Sequence, residues 1–365
     1  MFFRRLILLL LFASLTACQS SFGPSALRET HPAYNQVMVN SLNQQMLLNL
    51  VRLKYYDTPY FLKIASVTAT LSLGGNASMG GAANTSSSNN VATAGLGLNY
   101  SDQPTISYVP LQDGDFLKDI LSPISLEALL MMTQSGWSIE AVFGVCLERI
   151  NNHYNAPGAS GPTPRNTPNY VEFKRSLELL QELQLTHKLE IGLAAASSGQ
   201  PAELVLMIKQ GSTSLEKNAA LAGLLDYEYT DNENVFITVS TDFLEKNPNE
   251  ISIRTRSIAS VLFYLSQNID IPQEHIEAGL ITTTRNPDGS IFNWGSTPAG
   301  SIFNIRSSKT YPQHAYLVVP YRDYWFYIAD NDLQTKSTFL LLTQLFNLQA
   351  GQNDYSGPTL TLPVR

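Results

Sequence analysis

Five histidines, two cysteines and one short acidic run are the groups in this chain with chemistry to offer. His31, His153, His187, His275 and His314 are scattered, and no two stand at the i, i+4 spacing that sets paired imidazoles on one helix face for zinc. Cys146 lies in the apolar run Val142–Leu147 and reads as a buried free thiol. With Cys18 as its only companion, it supports neither a disulfide framework nor a cysteine pair for zinc. Asp330-Asn331-Asp332 lacks the alternating ligands and later bidentate Glu of a calcium loop, so it reads as a turn or a helix cap. Gly95-Leu96-Gly97 lacks the third glycine of a dinucleotide site. No G-x-S-x-G elbow occurs, and Ser307-Ser308-Lys309 lacks S-x-x-K spacing. These absences predict no cofactor, no metal site and no enzyme, the alternative being an envelope hydrolase with dispersed catalytic residues. The densest aromatic segment is Tyr321-Arg322-Asp323-Tyr324-Trp325-Phe326-Tyr327. On a strand, Tyr324 and Phe326 face one side and Trp325 and Tyr327 the other. One side then belongs to the core, and the other offers a stacking platform for a glycan or partner. Burial on both sides is the alternative.

Cys18 has a different chemistry in view. Arg4 and Arg5, an apolar run from Leu6 to Phe12 and the small residues before Cys18 follow the order of a signal peptide, residues 1–17. Leu15-Thr16-Ala17-Cys18 resembles the lipobox of bacterial lipoproteins, in which the thiol is lipidated, the chain is cut before the cysteine and the new amine is acylated. The resemblance implies a mature chain starting at Cys18 and held on a bilayer by palmitate-type chains. Each buried CH₂ contributes roughly 0.8 kcal/mol, and two or more chains anchor stably. The apolar core is too short for a spanning helix, which needs about 20 residues. By resemblance to lipoprotein sorting in Gram-negative bacteria, Gln19 in place of aspartate implies the outer membrane, with the body facing the periplasm. An ordinary secretory signal with a chance cysteine is the alternative. The 365-residue chain carries 23 Lys+Arg against 30 Asp+Glu, a net charge of −7, and loss of Arg4 and Arg5 makes it more acidic. That excludes the basic footprint of a nucleic-acid binder and attraction to anionic lipid.

The elements that position these groups begin with a tether, 18–32, and a helix from about Ala33 to Lys54. Its Met38, Leu42, Met46, Leu50 and Leu53 share one face, with Asn35, Asn40, Asn43, Gln44 and Asn49 opposite. Between Lys63 and Asp102 no charged residue occurs. Val67, Ala69, Leu71, Leu73, Ala77 and Met79 alternate with Ser and Thr residues, the period of a two-faced strand. A Gly/Ser/Asn turn, Gly80–Asn90, leads into a second run with Ala92, Ala94, Leu96, Leu98 and Tyr100 on one side. Both runs reach the roughly 9–11 residues of a membrane barrel strand. Tyr60, Phe61, Tyr100 and Tyr108 gather toward one end like an interfacial belt. Val67, Leu71, Leu73, Met79, Leu96, Leu98 and Tyr100 are therefore the expected membrane or partner contacts. A soluble arm and a structureless Gly/Ser loop are the competing readings.

Helices are expected at Asp115–Leu121, Leu126–Gln134, Ile139–His153, Tyr170–Leu185, Arg254–Gln267 and Ser337–Gln349. Strands are expected at Lys188–Leu193, Glu203–Ile208, Val235–Val239, Gly300–Arg306, Ala315–Val319 and Tyr324–Ala329, with an edge strand at Thr359–Pro363. The proline-rich stretch 156–168 marks a linker. The whole reads as α+β: a helical region, 33–155, with a long inserted hairpin, 64–109, then a C-terminal mixed α/β region, 169–365.

Leu47-Leu48-Asn49-Leu50-Val51-Arg52-Leu53 with Asp57-Thr58-Pro59-Tyr60-Phe61-Leu62, and Tyr321–Ile328 with Lys336–Gly351 and Leu360–Val364, resemble an uncharacterised family of Gram-negative envelope lipoproteins. No activity is assigned to that family, so the resemblance implies an address and no site residues. In design alone, anchor plus chargeless hairpin is similar to oligomeric secretion-channel lipoproteins of the curli-exporter kind. The expected function is a non-enzymatic structural or channel-forming subunit of an envelope assembly, a homo-oligomer or part of a larger complex. The alternative is a monomeric scaffold lipoprotein contacting a protein partner or cell-wall glycan.

Overall fold

A computed structural model describes residues 22–82, 91–194, 203–229, 233–243, 247–350 and 359–361. The chain is α+β and divides into two compact units. The first comprises Met1–Pro59 and Leu121–Asn347, the second Tyr60–Ile120 and Leu348–Arg365.

The first unit opens with helix α1, Phe22–Lys54. It starts well before Ala33, so most of the expected tether is helical, Pro32 included. The Ala26-Leu27-Arg28-Glu29 run favours helix strongly enough to carry it past the proline. Only its last third is core: Met46, Leu47, Leu50, Val51 and Leu53 are buried, and so is Asn49 of the amide face. The second unit holds β1, Leu62–Ala82, and β2, Val91–Pro110. Helix α2, Gly114–Leu121, follows.

Helices α3, Leu126–Gln134, and α4, Ile139–Cys146, return to the first unit. Serine oxygens cap both: Ser125 accepts from the Ala128 amide and Ser138 from the Ala141 amide, each at 3.1 Å. The helix expected to reach His153 stops at Cys146. Strands β3, Leu147–Ile150, and β4, His153–Tyr154, replace its second half. Leu147 and Ile150 are buried by pairing with a distant strand that local periodicity does not reveal. Residues 156–168 run through this unit, with Ala156, Ala159 and Thr163 buried, rather than between the units. Then come α5, Val171–Leu185; β5, Leu189–Ala194; β6, Glu203–Ile208; and α6, Ser212–Leu225, which has no counterpart among the expected helices. Strands β7, Val235–Ser240, and β8, Glu250–Thr255, precede α7, Ile258–Ser266. The expected helix start at Arg254 is thus strand. Ser257 caps the helix, accepting from the Ser260 amide at 3.2 Å.

The six-stranded sheet runs β4-β3-β8-β7-β6-β5, antiparallel except for β7–β8. Alternation along β6 buries Leu204, Leu206 and Ile208. After α8, Gln273–Glu277, a small sheet forms from β9, Arg306–Ser308, β10, Ala315–Tyr321, and β11, Tyr324–Ala329. The strand expected at Gly300–Arg306 is mostly turn, because Thr297, Pro298 and Ala299 close hydrogen-bonded turns onto Gly300, Ser301 and Ile302. Helix α9, Leu333–Ala350, and edge strand β12, Thr359–Thr361, end the described chain. Among the described residues, no helix is long and apolar enough to cross a membrane.

Candidate functional site

The ribbon β1–β2 pairs antiparallel from Leu62↔Pro110 to Ala82↔Val91, with one irregularity between Ile64 and Ser66. Register decides what its faces carry. Val67 pairs with Ile106, Leu73 with Tyr100, Gly75 with Leu98, Ala77 with Leu96 and Met79 with Ala94. Directly opposed residues share a face, so the apolar sets of the two strands coincide. The other face pairs Ser72 with Ser101, Gly74 with Asn99, Asn76 with Gly97 and Ser78 with Gly95. A Cβ on Gly97 would come within 2.6 Å of Asn76 Oδ1, so the glycine leaves room for the opposing amide.

Register also corrects two expectations. Leu71 faces Asp102, so the part free of charge on both strands is the distal part, 72–82 against 91–101. Tyr100 stands eight positions beyond Tyr108, about 27 Å along a strand. The four aromatics therefore do not form one belt, and Phe61 is buried against Phe116, ring centroids 6.0 Å apart. The Gly/Ser/Asn turn was expected from Gly80, but pairing continues to Ala82, and the rest of that turn lies outside the described residues. Of the expected contacts, Val67 is buried. The side chains of Leu71, Leu73, Met79, Leu96, Leu98 and Tyr100 lie outside the described residues, as does Cys18. Along the outer edge of β1, β12 pairs only at Ser66–Thr68, and among the described residues no strand pairs the outer edge of β2.

In the first unit, the segment after α1, Tyr55–Asp57, meets the β10–β11 hairpin. β10 and β11 are joined by Arg322-Asp323, both left-handed at φ 48° and 63°. Two such residues make the hairpin turn that Asn-Gly usually fills, at a local steric cost. Arg322 Nη2 donates to Asp57 Oδ2 at 3.0 Å and its guanidinium lies 5.0 Å over the Tyr55 ring. Tyr321 also donates its hydroxyl to Asp57. These two donors hold the Asp57 carboxyl below its ordinary range, Tyr321 contributing most. Tyr55 Oη and His275 Nδ1 share a buried hydrogen bond of 2.6 Å. Burial raises the Tyr55 hydroxyl far above its usual value, while burial and then Arg322 lower the imidazole below 6.5. A neutral tyrosine thus meets a neutral histidine. Tyr55→Phe should lower the stability of this unit by about 1–2 kcal/mol, the cost of a lost buried hydrogen bond. Urea unfolding followed by tryptophan fluorescence reads this unit alone, because Trp137, Trp294 and Trp325 all belong to it.

The expected platform splits. Phe326 is wholly buried and offers no surface, because its side of β11 faces the core with Ile328. Trp325 is half-buried and stacks edge-on with Tyr311 at 5.1 Å; Tyr324 stacks with His275 at 5.1 Å, and Tyr327 is half-buried. Asp332 caps α9, accepting from the Thr335 amide at 3.0 Å, and Asp330 pairs with Lys336 at 2.7 Å. Cys146 is a buried free thiol whose pKa burial pushes up to about 12. Among the described residues no cluster suits a metal ion. Sequence reasoning missed His275 and Arg322 as partners of the 55–57 segment. Their one local signal is the non-glycine pair Arg322-Asp323 between two clear strands. No protein-family model, curated protein or solved structure matches this chain.

Proposed function

We propose that the chain is an outer-membrane lipoprotein, anchored through acylated Cys18, whose ribbon joins copies of itself into a membrane-inserted β-structure of an envelope assembly. One observation carries the reading: register places both apolar sets on one face of a ribbon that is chargeless over its distal eleven residues per strand. At about 3.4 Å per residue and a tilt near 45°, that segment spans roughly 26 Å, close to the apolar band of a membrane barrel. Its outer edges cannot stay unpaired in lipid, where each lone N–H or C=O costs several kcal/mol. Closing the smallest barrel, about eight strands, takes at least about four ribbons. The fold suits this role, with a helix-led body in one unit and the arm in the other.

The native mass of the full lipidated chain in mild detergent tests the reading. The expected result is a complex of at least about four copies. Leu96→Asp, opposite Ala77 at mid-segment, should dissociate it, since an acidic side chain at the bilayer centre costs about 2.5–3.5 kcal/mol per copy. A wild-type monomer overturns the proposal. That outcome would favour the scaffold reading, for which the outer face of β6–β7 offers Val205, Met207 and the exposed Phe236.

A further inference from the structure

Lys54 ends α1 with its side chain almost wholly buried, 5% exposed. Its ammonium donates to Gln267 Oε1 at 3.1 Å. It lines a cavity of about 240 Å³ within the first unit. Among the further polar side chains on that wall are Asn268, Asp270 and Asn304. Asn268 is 5% exposed, yet neither its amide nitrogen nor its amide oxygen makes a hydrogen bond. The Asn304 oxygen is likewise buried and unbonded, while its nitrogen reaches Asp270 Oδ1 at 3.5 Å. Burial raises the Asp270 carboxyl above its ordinary value. A buried ammonium is ordinarily paired, and Lys54 has an amide oxygen for its partner, so the cavity beside it is suited to an anionic ligand group.

Backbone geometry holds this wall in place. A Cβ at Gly300 would fall 2.0 Å from the Trp294 carbonyl oxygen and 2.5 Å from Asn268 Oδ1. Only glycine lets that turn close against both. Ile271, Ile281, Ile291, Phe292 and Trp294 supply the apolar remainder.

We propose that this cavity binds a small free α-amino acid. The wall offers a cationic donor and an acid, which is complementary to a zwitterion. The ligand carboxylate accepts from Lys54; its ammonium donates to Asp270, which Asn304 holds at 3.5 Å; the isoleucines and Trp294 take an apolar side chain. The cavity is large enough to admit an amino acid. The proposal stands apart from the ribbon and does not depend on assembly.

The full-length lipidated protein in detergent would be heated with each of the protein amino acids at about 5 mM, and hits titrated by calorimetry. Glucose, acetate and methylamine serve as comparison probes, the last two as halves of the zwitterion. At least one small amino acid should raise the unfolding midpoint and bind below about 1 mM. Lys54→Met and, separately, Asn304→Leu should each weaken it at least about tenfold while still unfolding cooperatively. Either of two results overturns the proposal: no amino acid binds, or glucose or acetate binds as tightly. Unchanged affinity in a cooperatively folded Lys54→Met or Asn304→Leu variant does the same.

Discussion

Arg256→Ala is expected to destabilise the first unit by about 3–5 kcal/mol, the range for stripping a buried charge network of one member. The side chain is 1% exposed. Its Nε donates to Ser160 Oγ at 3.1 Å, Nη1 to the carbonyls of Val145 and Leu147, and Nη2 to those of Asn155 and Ala156. The guanidinium lies 4.0 Å over the Tyr264 ring, and Tyr264 in turn donates to Asn155 Oδ1 at 2.8 Å. Asn155 Nδ2 returns to the Gly144 and Leu147 carbonyls at 2.9 and 2.7 Å. The positive charge finds its counterion through Ser160, which donates to Glu148 Oε2 at 2.7 Å. One side chain therefore fastens the point where α4 turns into β3 to the loop carrying Asn155–Ser160. Removing it leaves several carbonyls dry and unpaired, and lysine cannot replace the planar fork. Arg254, two residues earlier and mostly exposed, pairs loosely with the same Glu148 at 3.9 Å. Arg254→Ala should cost no more than about 0.5 kcal/mol. Urea unfolding read by tryptophan fluorescence compares the two; equal midpoints would refute the argument.

That contrast also marks what could be read from the residues alone. The ribbon was legible because alternation over many residues admits one geometry, whereas its register came with the fold, since alternation is unchanged by a slip of two residues. Leu126–Gln134, Glu203–Ile208 and Tyr324–Ala329 agree to the residue, because each has its own periodicity and a serine, glycine or proline close by. The error at 147–153 has a physical cause. Leu147 and Ile150, three apart, suit a helix face, and only pairing with β8 across more than a hundred residues makes them strand. Arg254 and Arg256 look alike in the chain, yet one is solvated and the other enclosed. Lys54 reads as an ordinary basic residue at a helix end, favourable to the helix dipole. Its burial comes from residues 267–304, and Gln267 is 213 positions away. Sites made by such closures leave no local pattern.

Lys54→Met is expected to make the protein more stable at pH 7 while abolishing amino-acid capture. Desolvation lowers the Lys54 pKa from 10.5 to about 8. The unfolded chain holds this proton up to about pH 10.5, whereas the folded chain releases it above about pH 8. Folding is therefore penalised in full below pH 8, and the penalty fades as pH rises from 8 to 10.5. Its size is about 3 kcal/mol, taken from the shift. Methionine fills similar volume without charge, so the variant should regain about 2 kcal/mol after losing the Gln267 hydrogen bond, a gain of roughly 4–8 °C in midpoint. Neighbouring Tyr55, whose hydroxyl resists ionisation when folded, makes wild-type stability fall again at higher pH. Subtracting the variant's pH profile from that of wild type cancels the tyrosine and leaves the lysine. The difference should be flat below pH 8 and shrink toward pH 10.5. A variant less stable than wild type at pH 7 would mean that the ammonium is well solvated or paired. A buried cation kept at that cost is consistent with retention for binding, because stability alone would favour an apolar residue there.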